Sequence, residues 1–143
     1  QFTDTKQLEL NGLLKQYLQD YEEVYDYRNI EVTIDEQDIF NVTINESLAV
    51  ALLTNLLKNA FVHNIDGGHI RITVTKNSIT FRNSGVKNPL DKEHIFERFY
   101  QGTKKEGSTG LGLAIADSIC RLQHLSIRYY FEQKEHCFEI SRQ

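Results

Sequence analysis

The chain has no methionine, a single proline and two cysteines, and no apolar run approaches the ~20 residues needed to cross a bilayer. Each shortage excludes something. No signal peptide is visible. Cys120 and Cys137 match no metal-ligand spacing, so idle or buried thiols in a reduced cytosolic setting are expected. Without a Pro/Gly-rich linker, an internal repeat or a low-complexity tract, one domain over residues 1–143 is expected. A basic excess is also missing. The formal net charge is −4, which gives no reason to expect a nucleic-acid surface. A chain that opens on Gln1 and lacks methionine is expected to be a domain cut from a longer protein.

What remains is ordinary in proportion. With 143 residues, 40% hydrophobic and 25% charged, the chain can bury one real core. Residues 1–9 read as a leader or first edge strand. Across 10–27, Leu10, Leu13, Leu14, Tyr17, Tyr21, Val24 and Tyr25 recur at three- and four-residue steps, the mark of an amphipathic helix. Two period-two runs follow, Ile30/Val32/Ile34 and Phe40/Val42/Ile44. They read as strands with one buried face, joined by a polar turn at 35–38. A helix over 48–64, capped by Asn45 or Ser47, comes next. Alternation at 70–75 and 79–81 predicts a hairpin that ends at Asn83-Ser84-Gly85. Residues 86–109 show only a short helical stretch near 91–100, and so long an irregular segment in a compact domain is usually functional. Its glycines and charges (Gly102, Lys104, Lys105, Glu106, Gly107) predict a mobile lid. A third helix over 111–122, with Leu113, Ala114, Ile115 and Ile119 apolar, and a closing hairpin of 125–131 and 136–140 complete the chain. The expected fold is α+β: a two-layer α/β sandwich with a mixed, mostly antiparallel sheet, about three helices on one face and the lid.

Four stretches bear on chemistry. In the 48–64 helix, Val50, Leu53, Leu56, Leu57, Ala60 and Phe61 form an apolar face, while Asn55, Asn59 and His63 fall at i, i+4 and i+8 on a polar stripe. Asparagine costs a helix interior roughly 0.5 kcal/mol against alanine. Two of them a turn apart therefore point to a polar neighbour, either solvent or a nucleotide with its metal. The run from Gly107 to Leu113 holds three glycines at the mouth of a helix, where uncovered N–H groups and the helix dipole favour an anion. It is neither a Walker A loop nor a dinucleotide fingerprint. Asn83-Ser84-Gly85 is either a plain turn or a side-chain acceptor for an exocyclic amine such as adenine's. Ile95-Phe96-Glu97-Arg98-Phe99-Tyr100 either glues a loop to the body or packs a lid.

Together, in this order and spacing, these stretches resemble the catalytic and ATP-binding domain of bacterial two-component sensor histidine kinases. That domain belongs to the ATPase superfamily shared with the heat-shock chaperone, type II topoisomerase and mismatch-repair ATPases. Asn55 to Ala60 resembles the family's asparagine box, Asn83-Ser84-Gly85 its first glycine box, Ile95 to Tyr100 its phenylalanine box and Gly107 to Leu113 its second glycine box. The resemblance covers nearly the whole chain and implies an ATP site with Mg²⁺. Asn59 would ligate the metal, with Asn55 on the phosphate side. Lys58 and His63 would reach phosphate or ribose, and Asn83 and Gly85 would meet the adenine. Phe96 and Phe99 would pack the lid, Lys104 or Lys105 would supply lid charge, and Thr109, Gly110, Leu111 and Gly112 would bring backbone close to the phosphates. The γ-phosphate would pass to a histidine on a separate dimerisation domain of the same protein, and a response regulator would act downstream. None of His63, His69, His94, His124 and His136 has the phosphoacceptor context. The isolated domain is therefore expected to be monomeric and not to phosphorylate itself. Family habit implies a cytoplasmic domain of a membrane-anchored parent.

The departures from the family pattern are specific. Its Asp-x-Gly-x-Gly is here Asn83-Ser84-Gly85-Val86-Lys87. A basic residue common after the Phe-Tyr is Gln101, and a lysine three places after the metal asparagine is Val62. They leave an alternative open: a nucleotide-sensing or degenerate ATPase-like interaction module with little or no catalysis.

Overall fold

A computed structural model describes residues 4–100 and 110–143. The opening elements come in the order the sequence predicts, but two of them pair differently. Strand β1 (Lys6–Glu9) runs into helix α1 (Leu10–Val24), a single 3-10 turn follows at Asp26–Arg28, and then come β2 (Glu31–Glu36) and β3 (Asn41–Ile44). The neighbouring runs β2 and β3 do not pair with each other. β3 takes β1 as an antiparallel partner in a two-stranded ribbon, whereas β2 is the edge of the main sheet. Asn11 explains the split. Buried on α1, it accepts from Phe40 N at 2.9 Å and donates to Asp38 O and Glu36 Oε1 at 3.0 Å. The connector is thereby tied to the helix. The amide of Leu10, unpaired within its own helix, is satisfied by Phe40 O at 3.0 Å.

Helix α2 (Glu46–Val62) follows, then β4 (His69–Val74), β5 (Ser78–Asn83), α3 (Gly112–Leu122), β6 (Leu125–Glu132) and β7 (Glu135–Arg142). The main sheet has the order β2-β4-β5-β7-β6, with β2–β4 parallel and the rest antiparallel. Burial alternates along β4, while β5 and β7 are buried on both faces over part of their length. Ile70, Ile72, Val74, Ile79, Phe81, Phe138 and Ile140 are buried beneath the helices, among them Leu52, Leu53, Leu56, Leu57 and Phe61 of α2. The α2 side chains thus fill the core on a wider arc than expected, and Val50 is only half-buried. Asn45, not Ser47, caps α2, its side chain accepting from Leu48 N at 3.0 Å. At the other end Arg28 donates to Phe61 O in the last turn and, just past the helix, to Asn64 O, at 3.0 and 2.8 Å. The expected fold class stands: three helices on a mixed, mostly antiparallel sheet.

The closing hairpin turns on Gln133 and Lys134, with φ of 52° and 64°. Two consecutive left-handed residues are the geometry that glycine and asparagine favour. Relief of about 1–2 kcal/mol at such a position is partly offset by the roughly 0.5–1 kcal/mol that glycine's freer unfolded chain costs. Lys134→Gly is therefore expected to stabilise the domain by about 0.5–1 kcal/mol, read as a higher urea midpoint at unchanged slope.

Candidate functional site

Helix α2 leaves one stripe out of the core, and a cavity opens against it. Asn55, Asn59 and His63 line that cavity from one side, and Gly110, Leu111 and Gly112 line it from the other. Asn55 donates from Nδ2 to Ala51 O at 2.7 Å, which aims its oxygen across the gap. A Cβ on Gly112 would stand 3.0 Å from that oxygen, so the start of α3 approaches α2 as closely as it does because the residue is glycine. Gly110 has a φ of 76°, and a Cβ there would lie 2.8 Å from the Phe99 backbone, whose N–H donates to Gly110 O at 2.7 Å. Lys58 stands at the rim, exposed. No described group holds the half-buried Asn59 amide.

A second, deeper cavity shares Asn59 and His63 and ends on Asn83, with Val86, Leu90, Ile95, Leu113 and Phe138 as apolar walls. Asn83 is 2% exposed and donates from Nδ2 to Ser84 O at 2.7 Å. Its Oδ1 is the one buried side-chain N/O atom without a hydrogen-bond partner among the described residues. Such an orphan costs about 1–3 kcal/mol unless something donates to it. Gly85 lies beside it. A Cβ there would fall 2.8 Å from the His63 carbonyl and 3.1 Å from the His136 ring.

His136 was legible only as one more residue of an alternating strand, yet it organises the deep wall. Its Nε2–H donates to Val86 O at 2.7 Å, which leaves Nδ1 to accept from the Tyr129 hydroxyl at 2.7 Å, while that hydroxyl accepts from Leu90 N at 2.9 Å. One buried imidazole thereby moors both ends of residues 86–90 to β6 and β7. Burial pushes its pKa below the ordinary histidine value. An unfolded chain would titrate this group near 6.5, so below that pH the unfolded state binds more protons and stability falls as pH falls. Denaturation at pH 5.5 against 7.5 is expected to show this loss in the natural chain and a shallower one in His136→Gln. Glu135, whose carboxyl the Arg71 guanidinium at 2.8 Å holds below its ordinary range, loses its stabilisation only at still lower pH.

Three expectations change here. Residues 91–100 form successive turns, not a helix. Asp91 takes Glu93 N on its side chain at 3.0 Å, and Phe99 enters the left-handed region at a φ of 66°. Phe99 is 67% exposed, with the Arg98 guanidinium over its ring; Phe96, edge-on to Phe138 at 6.3 Å, and the buried Ile95 hold the loop to the body. On α3 the buried residues are Ala114, Ala116, Ile119 and Cys120, while Ile115 is 42% exposed and faces the cavity with Leu113. Tyr100 also lines both cavities, unanticipated except as part of an aromatic cluster. Gln101, Lys104, Lys105 and Thr109 lie outside the described residues. Both cysteines are buried and free, and burial pushes the Cys120 thiol up to about 12 and the Cys137 thiol up to about 11. No helix among the described residues is long and apolar enough to cross a membrane.

Residues 44–141 match the model of the family described as histidine kinase-, DNA gyrase B- and HSP90-like ATPase. The chain is 33% identical over 127 residues to the heme sensor protein HssS of Staphylococcus aureus (strain Newman), covering 85% of this chain and 28% of HssS. It is 43% identical over 84 residues to the sensor histidine kinase RppB of Synechocystis sp., covering 52% of this chain and 18% of RppB. It thus spans under a third of the length of either relative. Among solved structures, the catalytic domain of the histidine kinase ThkA matches with a TM-score of 0.84 at 25% identity, covering 96% of this chain and 94% of that one. The mycobacterial sensor histidine kinase MprB shares the fold, with a TM-score of 0.81 at 17% identity over 97% of this chain and 99% of its own.

Proposed function

Because the chain belongs to the histidine kinase-, DNA gyrase B- and HSP90-like ATPase family, we propose that it binds Mg·ATP in the two joined cavities and donates the γ-phosphate to a histidine on a separate dimerisation domain. It would be the catalytic unit of a two-component sensor kinase. The observation that carries this reading is the unpartnered Asn83 oxygen at the floor of a cavity whose mouth is a stripe of amides and a glycine-lined helix start. A flat purine would lie between the apolar walls, and its exocyclic amine would supply the donor that Asn83 lacks. The triphosphate would then run outward past Asn55, Asn59 and His63 toward Gly110 and Gly112, near Lys58.

The donor set suits Mg²⁺, which takes oxygen ligands and keeps waters and phosphates around it. Asn59 would hold it through Oδ1. No carboxylate lines the outer cavity among the described residues, so a divalent ion would be held there only together with phosphate oxygens. When bound, the metal neutralises charge on the transferring group. The chain's own share would be positioning: Asn83 and the apolar walls would fix the base, Gly110 and Gly112 would admit backbone to the phosphates, and Lys104 or Lys105 would add the charge that the family resemblance implies. The acceptor histidine comes from elsewhere. His69 pairs with Glu135, His136 is buried, and His94 pairs with Asp91 on the loop.

We further propose a response regulator as downstream partner and a cytoplasmic position in a membrane-anchored parent. The solved complex of ThkA with the response regulator TrrA is the model for the first. Titration with a non-hydrolysable ATP analogue by calorimetry, with and without Mg²⁺, tests the binding reading. Metal-strengthened binding supports it, and no binding at millimolar nucleotide sinks it. Acid-labile phosphohistidine formed with the dimerisation helices tests transfer. Its absence despite binding would favour the nucleotide-sensing alternative, to which Asn83, Lys87 and Gln101 point.

A further inference from the structure

We infer that Tyr129 and His136 form a latch on nucleotide affinity: with Nδ1 of His136 free of a proton, the pair seats residues 86–90 as a wall of the deep cavity, and a proton on that nitrogen unseats them. This rests on the nucleotide reading above. It gives positioning roles to one residue of β6 and one of β7, and it ties the site to pH.

The hydrogen bonds run one way. Leu90 N can only donate, so the Tyr129 oxygen accepts from it at 2.9 Å and passes its single hydrogen to His136 Nδ1 at 2.7 Å. Val86 O can only accept, so Nε2 carries the hydrogen that ends the chain at 2.7 Å. A proton on Nδ1 would set two donors, itself and Leu90 N–H, against the Tyr129 oxygen. The hydroxyl hydrogen would then need another acceptor in a place where Tyr129 is 6% and His136 3% exposed. Val86 and Leu90 are half-buried and line the deep cavity, whereas residues 87–89 between them are exposed. The wall is thus fastened at both ends to one side-chain pair. Tyr129 is not among the residues that line the cavity, so any effect it has on a ligand passes through its two partners.

The surroundings offer an imidazolium no counter-charge. Of titratable groups, β6 sets Tyr129 beside the ring, and α2 and the loop bring His63 and Tyr100 to the same cavity. β5 and α3 add the neutral Asn83 and Leu113. Lys87 is exposed, and Asp91 is engaged by His94. By strand alternation Arg82, Glu132 and Glu135 lie on the opposite face of the sheet, where Glu135 is held by Arg71 and His69. Burial pushes the His136 pKa down, opposed in part by the Val86 carbonyl. Binding and proton uptake are reciprocal. Bound nucleotide must therefore lower the pH at which His136 takes up its proton, and affinity, full above that pH, must fall below it.

The experiment is calorimetric titration of the full chain with ADP and Mg²⁺ at neutral pH, for the natural sequence, Tyr129→Phe, His136→Gln and the double variant, each checked by thermal unfolding. Tyr129→Phe keeps the ring and removes the hydroxyl, and it is expected to weaken ADP about tenfold at a temperature where it is fully folded. The double variant is expected to lose less than the two single losses combined. Imidazole nitrogen NMR of the natural chain should show the Nε2–H tautomer and a proton uptake that ADP moves to lower pH, which a merely structural histidine would not show. Unchanged ADP affinity in Tyr129→Phe overturns the inference, and so do additive losses or an uptake that ADP leaves in place. A ring that stays neutral until the domain unfolds in acid overturns the tie to pH and leaves the positioning role to the variants. Should the variants not fold, the NMR titration decides. Failure of the natural chain to bind ADP overturns the reading of the site itself.

Discussion

Asn59→Ala is expected to lose the Mg²⁺-dependent part of ATP affinity, at least about tenfold or 1.4 kcal/mol, while making the domain slightly more stable. The two signs have separate causes. On the helix side, asparagine gives up roughly 0.5 kcal/mol to alanine in an interior turn, and no described group bonds the Asn59 amide to compensate. On the ligand side, an oxygen suited to a hard cation disappears from a cavity lined by no carboxylate among the described residues. A side chain kept at the expense of stability, in the middle of α2, is what a functional position looks like. Calorimetry with and without Mg²⁺, beside a urea titration, reads both effects at once. Unchanged metal dependence would remove Asn59 from the site. A fall in stability would mean that its amide holds the fold.

Phe138→Ala is expected to have the largest effect on stability, a loss of about 3–5 kcal/mol against a total of only about 5–15 kcal/mol for a domain. Phe138 is 2% exposed at the centre of β7, tilted onto Tyr129 at 5.0 Å and edge-on to Phe96 at 6.3 Å. Truncation would open a cavity beneath the loop as well as in the core, so nucleotide affinity should fall with stability. Phe138→Leu, which keeps most of the volume, is expected to cost below about 1.5 kcal/mol. Urea midpoints for both variants check the difference. A saturating nucleotide should recover part of the loss, because only the folded form binds it.

Much of this site could be read from residues alone, and the parts that could not share a cause. The stripe of Asn55, Asn59 and His63 followed from helical periodicity, because all three lie within one element. The glycines at 110 and 112 were legible as an approach to a helix start, and the structure brings them opposite that stripe. The misreadings concern how elements meet. Ile115 looked like core by its period, but that face of α3 forms a cavity wall. The 91–100 stretch had helical spacing, but Asp91 captures an amide at its start and Phe99 breaks the dihedrals at its end. The runs at β2 and β3 looked contiguous, and a buried polar residue far back on α1 kept them apart. That Asn83 carries an acceptor is in its chemistry, whereas its orientation depends on the bond from its Nδ2 to Ser84 O. His136 left a fainter signal: it shares parity with Phe138 and Ile140, which places a titratable ring on the core side of β7.

The pairing of β5 with β7 also bears on how the chain folds. It joins Ser78 to Ser141 and Asn83 to His136, bridging two hairpins, β4–β5 and β6–β7, that can each form from local contacts. Closing the long intervening segment is the slow, entropically expensive step in such a topology. The floor of the deep cavity does not exist before that step, because Asn83 and His136 lie on opposite strands of this pair. Nucleotide therefore has nothing to grip in the hairpin stage. A ligand that binds only after the barrier slows unfolding and leaves the folding rate alone, so the occupied domain would owe its persistence to a longer lifetime rather than a faster birth.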